Sequence, residues 1–161
     1  MQVKLAYHAN CWGALGGNAV GVTSITQLTY RTFGDMERAI REIGAAGYAG
    51  TELFDGNLLD YEGRYGVLRN ALEQSGVALV AGYSGANFIF DDILAEELAR
   101  IERGAAAAAE LGAEHLVVGG GAKRAKGRQP DDFKRLGAAL DKVIEIAARS
   151  ANSASASATC T

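Results

Sequence analysis

Two polar residues in this 161-residue sequence sit at the C-terminal ends of short apolar runs, which is where ligands bind in parallel α/β folds. His8 closes the run from Val3, in which Val3, Leu5 and Tyr7 share one face of a strand and Lys4, Ala6 and His8 the other. A neutral imidazole there can bond a hydroxyl or act as an acid or base; it can also be a satisfied interior histidine. Glu52 stands in the run Ala49 to Phe54, on the side of Gly50 and Phe54 and opposite Thr51 and Leu53. A carboxylate on an interior face needs a partner, which can be a ligand hydroxyl, Lys4 or a neighbouring backbone amide. Trp12 can stack on the apolar face of a ring or anchor the loop that carries it. Tyr83 and Asn87, after the next apolar run, offer a hydroxyl and an amide. Gly119, Gly120 and Gly121, followed by Lys123, Arg124, Lys126 and Arg128, could cradle a phosphate through backbone amides. That stretch lacks the Lys-Ser/Thr ending of a P-loop and also reads as a solvated turn.

The elements that position these residues repeat one pattern. A helix closes on glycine, a short turn follows, and a strand begins, at Gly47, again at Gly76 and again at Gly112. The apolar spacing predicts helices over Asp35 to Ala46, Arg64 to Ser75 and Ile93 to Leu111, with Met36, Ala39, Ile40 and Ile43 marking the buried stripe of the first. Strands are predicted over Val77 to Gly82 and Glu114 to Val118. Pro130, with Asp131 and Asp132, opens a fourth helix whose apolar face runs Phe133, Leu136, Leu140, Val143, Ile144 and Ala147. Ala9 to Gly34 shows no helical period, and a loop of that length is either functional or a covering excursion. The fold class is therefore α/β, about four βα units with parallel strands, the pattern of a partial (β/α)8 TIM barrel.

Composition narrows the partners. Apolar residues make up 48%, enough for a packed core, while a net charge of −3 gives no general attraction to nucleic acid or an anionic membrane. No run approaches the apolar length of a membrane span and no secretory leader is visible, so the expected location is cytoplasmic. Cys11 and Cys160 make no metal-type pair and are read as free thiols.

Three stretches carry a family resemblance: Leu-Ala-Tyr-His-Ala-Asn-Cys-Trp-Gly from Leu5, Ala-Ile-Arg-Glu-Ile-Gly-Ala-Ala-Gly-Tyr-Ala-Gly-Thr-Glu-Leu from Ala39, and Gly-Val-Ala-Leu-Val-Ala-Gly-Tyr from Gly76. Together they resemble the xylose isomerase-like sugar phosphate isomerase/epimerase superfamily, nearest its inosose dehydratase-like branch. The resemblance implies a metal-dependent isomerase, epimerase or dehydratase that moves a proton next to a carbonyl on a small-molecule sugar or polyol. It implies a divalent metal (Mn, Mg, Co or Zn) held by the last four strands of a full barrel, so no metal ligand is assigned here and none is expected to be bound by this chain. His8, Trp12, Glu52 and Tyr83 are then the candidate substrate-binding residues, with the catalytic residues unassigned.

By the same resemblance, residues 1–149 are the N-terminal half of a TIM-barrel domain, inactive alone. Residues 150–161 form a low-complexity tail, disordered or the product of a shifted reading frame. The alternative is a non-catalytic half-barrel that serves assembly or ligand binding. Exposed barrel edges would then drive self-association.

Overall fold

A computed structural model describes residues 4–16 and 30–158. Its elements in chain order are β1 (Ala6–His8), a 3-10 turn (Ala9–Cys11), β2 (Ala14–Gly16), β3 (Arg31–Phe33), α1 (Met36–Ala45), β4 (Gly50–Phe54), α2 (Asp55–Leu59), α3 (Tyr65–Ser75), β5 (Ala78–Gly85), α4 (Leu94–Glu110), β6 (His115–Gly119) and α5 (Pro130–Ala158). Strands β1, β4, β5 and β6 form one parallel sheet in that order, as four βα units of a partial TIM barrel require.

The alternation along each strand decides what faces the helices. Thr51, Leu53 and Leu79 point into a core with Met36, Ala39, Ile40 and Ile43 of α1 and Leu68 and Leu72 of α3. The four α1 residues are at most 2% exposed, and each large aliphatic buried in this way contributes about 1.5–3 kcal/mol. Helix α1 starts where Asp35 accepts a hydrogen bond from the Arg38 amide at 2.9 Å. A second cluster joins Ile101 and Ala105 of α4 to Ala139, Val143 and Ile146 of α5. Gly47, Gly76 and Gly112, the expected helix terminators, all have positive φ, and at Gly76 the helix closes in the left-handed conformation at φ 63°.

Several details differ from the sequence reading. Strand β1 begins at Ala6, although the Ala49 amide already bonds the Leu5 carbonyl at 2.9 Å; Val3 lies outside the described residues. Half of the expected 9–34 loop, residues 17–29, also lies outside them, and its ends are ordered: β2 and β3 pair antiparallel. Strand β5 runs three residues further than its apolar run, to Gly85, and α2 is a helix that no periodicity announced.

Helix α5 continues past residue 149 into the small-residue tract, to Ala158; residues 159–161 lie outside the described set. Alanine has the highest helix propensity, and the serines adapt by bonding back one turn, Ser150 to the Ile146 carbonyl at 3.1 Å and Ser153 to the Arg149 carbonyl at 3.0 Å.

Candidate functional site

Register brings the first two candidates together. His8 pairs with Glu52 across β1 and β4, and both side chains leave the sheet on the face opposite α1 and α3. Their closest atoms, His8 Nε2 and Glu52 Oε1, are 3.3 Å apart, with side chains 21% and 22% exposed. Glu52 thus has His8 as its partner, not Lys4 or a backbone amide. A nearby carboxylate favours the imidazolium, but burial lowers the His8 pKa below its ordinary value and raises that of Glu52. The two groups thus stand close enough to interact while burial drives each toward its neutral form. His8 Nδ1 is buried with no hydrogen-bond partner among the described residues.

Aromatic rings complete the face. A register shift between Thr51 and Glu52 leaves Val80 without a β4 partner and sets Tyr83 beside Phe54, their ring centroids 5.5 Å apart. The His8 ring lies 4.4 Å from Phe54 and 6.2 Å from Tyr83, and Tyr30 stacks on Phe54 at 5.8 Å and meets Tyr83 edge-on at 5.1 Å. Two glycines make room. A Cβ on Gly119 would stand 2.5 Å from the Tyr83 Oη, and one on Gly85 would stand 2.6 Å from the Tyr30 ring. Burial raises the Tyr30 pKa, with Tyr83 adding to it, so its hydroxyl stays a donor.

Tyr30 and Phe54 were not singled out by sequence reasoning. Tyr30 sits at the end of the featureless loop, and α2 fixes it: the Gly56 amide bonds the Tyr30 carbonyl at 2.9 Å, while Asn57 bonds both the amide and the carbonyl of Thr32 at 2.8 and 2.9 Å. Phe54 was visible only as a strand residue of the right parity.

Beneath the face lies a buried polar network. Asp55 accepts from Ser84 Oγ at 2.7 Å, the Gly56 amide at 2.8 Å and Arg100 Nη1, while Arg100 Nη2 reaches the Gly85 carbonyl and Glu97 Oε2, the latter at 2.7 Å. Burial raises the Asp55 pKa; Arg100 and the hydrogen bonds oppose it. These groups tie the ends of β4 and β5 to α4 and hold the aromatic face from behind.

Two expectations take other places in the structure. Trp12 is not at this face: its Nε1 donates to Glu42 Oε2 at 2.6 Å, its ring meets Tyr7 edge-on at 5.9 Å, and it packs against the α1–α3 core as a loop anchor. Asn87 is also committed elsewhere, its Oδ1 accepting from the Ala122 amide at 2.8 Å and its Nδ2 facing Glu97 Oε1 at 3.4 Å. The glycine turn is packed down by the same contact. Arg124 bonds Asp132 and the Ile89 carbonyl, each at 2.8 Å, so neither it nor the Ala122 amide is free for a phosphate.

A divalent metal, which the resemblance implies, does not fit what is here. His8 and Glu52 are two donors, Asp55 lies under Arg100, and no group of three or more His, Cys, Asp or Glu suited to a metal ion occurs among the described residues. A cleft of about 350 Å3 opens at the other end of the sheet between the strand starts, lined by Lys4, Ala6, Gly50, Val80, Glu114 and His115 among others. His8, Glu52 and the aromatic rings around them are not among its lining residues. No helix among the described residues is long and apolar enough to cross a membrane.

Comparison with known proteins bears on the fold and the family. No curated protein matches the chain. Among solved structures, the apo form of the 3-keto-D-glucoside 4-epimerase YcjR from E. coli superposes with a TM-score of 0.59 at 20% identity, covering 83% of this chain and 50% of that one. The chain thus spans about half the length of that structure. The sequence matches the xylose isomerase-like TIM barrel family over residues 40–151, and the chain belongs to that family.

Proposed function

We propose that this chain carries the substrate-framing half of a sugar or polyol isomerase, epimerase or dehydratase centre, one that moves a proton next to a carbonyl, and that it is inactive alone. One observation supports this most directly: the His8–Glu52 pair at adjacent strand ends, bordered by Phe54, Tyr83 and Tyr30. Carboxylate and tyrosine hydroxyls suit ring hydroxyls, and the aromatic rings suit the C–H face of the same ring. Glu52 would accept a substrate hydroxyl while His8 orients the carboxylate and keeps water from it. The inosose dehydratase-like branch is the finer assignment within this reading. The second reading is a non-catalytic half-barrel that binds a ligand, and it needs the same face.

The test is a titration of the chain with unphosphorylated keto sugars and inositols, followed through the aromatic NMR signals of His8, Tyr30 and Tyr83. Saturable shifts are expected, with Glu52→Gln weakening affinity about tenfold, equivalent to about 1.4 kcal/mol, and Trp12→Phe leaving it unchanged. Shifts indifferent to Glu52→Gln, or none at all, overturn the site. Deuterium exchange at the carbon beside the carbonyl, catalysed by this chain alone, would instead overturn the claim of inactivity.

A further inference from the structure

We propose that two copies of this chain close head to tail into an eight-stranded barrel, β6 of each pairing with β1 of the other. The inference rests on the two edges of the sheet and is independent of the sugar site. Among the described strands, β1 pairs only with β4 and β6 only with β5, so each presents one free row of backbone donors and acceptors, and both edges run in the same direction. A twofold axis along the centre of the missing barrel keeps all eight strands parallel and makes both new junctions identical. The sheet already has the required curvature: 83% of the chain overlays half of a solved structure of the barrel family's fold.

The side chains at the two edges complement each other. On β1 the helix-side residues Leu5 and Tyr7 are 63% and 36% exposed. On α5, Phe133, Leu140 and Ile144 are 60%, 37% and 67% exposed. At about 100° per residue these three form one line, roughly a third of a turn from the Ala139, Val143 and Ile146 face that packs on α4. A helix that follows β6 and flanks the next strand presents that line to the outer face of the next strand. In the closed dimer this strand is β1 of the second copy, and its outer face is Leu5 and Tyr7. Two apolar surfaces left bare by the single chain thus cover each other.

Sedimentation equilibrium of the 161-residue chain is expected to give a dimer. Ile144→Asp, at an exposed position where circular dichroism should show the fold retained, is expected to raise the dissociation constant at least tenfold, and Glu73→Lys on α3 to leave it unchanged. In a Cys11→Ser, Cys160→Ser background, Leu5→Cys with Ile144→Cys and a bifunctional thiol reagent should give one species of two chains joined twice. A monomer at every concentration overturns the proposal. So does a ladder of longer crosslinked species, because it would mean edges that propagate without closing.

Discussion

His8 and Glu52 pull pH dependence in opposite directions because burial drives each toward its neutral form. The His8 pKa is lowered from 6.5, so the stability that a neutral His8 carries is fully present above that value and is lost as pH falls through the folded pKa. Glu52 is raised from 4.5, so its contribution is fully present below that value and is lost as pH rises through the folded pKa. Between the two ordinary values, 4.5 and 6.5, the two trends oppose each other. Urea midpoints across that interval should show His8→Asn removing the acid-side loss and Glu52→Gln removing the loss toward neutral pH. A profile unchanged by both would show that neither side chain is desolvated as described. The residue types and strand parity made both groups legible in the sequence, but their pairing was not, since register across two strands separated by more than forty residues leaves no local mark.

Elements, and the contacts between them, give the next outcomes. Arg100 of α4 faces two carboxylates, Asp55 and Glu97, whose side chains are 2% and 4% exposed. Arg100→Ala leaves both buried and unpaired, and about 3–5 kcal/mol of folding stability is expected to go with it in urea unfolding. Arg103, one turn away, pairs with Glu62 where both side chains are more than half exposed, and Arg103→Ala is expected to cost under about 1 kcal/mol. Equal losses would show that the network is no more than a surface pair. The turn after β6 gives a separate check. Asn87 occupies the Ala122 amide and Asp132 holds Arg124, so millimolar phosphate is expected to leave the thermal midpoint unmoved; a rise in midpoint would restore the phosphate reading. The four βα units were legible because helix and strand periods differ and glycines mark their joints. Helix α2 was not, since five residues of Asp-Gly-Asn-Leu-Leu are too few to show a period and are held by Thr32 and Tyr30 from elsewhere in the chain.

In the molecule as a whole, α4 belongs to both apolar clusters, giving Ala107 and Ala108 to one and Ile101 and Ala105 to the other. The two clusters should therefore unfold together. Ile101→Ala, at a fully buried position, is expected to lower stability by about 2–5 kcal/mol and to shift Trp12 fluorescence and helical circular dichroism by the same amount, although Trp12 packs only on the first cluster. Separate midpoints would show two independent units.

Local patterns in the sequence determined the α/β class, the four repeats, the helix stops at Gly47, Gly76 and Gly112, and the two strand ends that carry His8 and Glu52, because all of these depend on neighbours a few residues away. Tertiary structure alone decided that Trp12 anchors the loop while Tyr30 joins the aromatic face, that Asp55 is held by Arg100, and that the outer line of α5 stays bare. Each of these depends on which distant residues share a surface, and a chain read in one dimension carries no record of that.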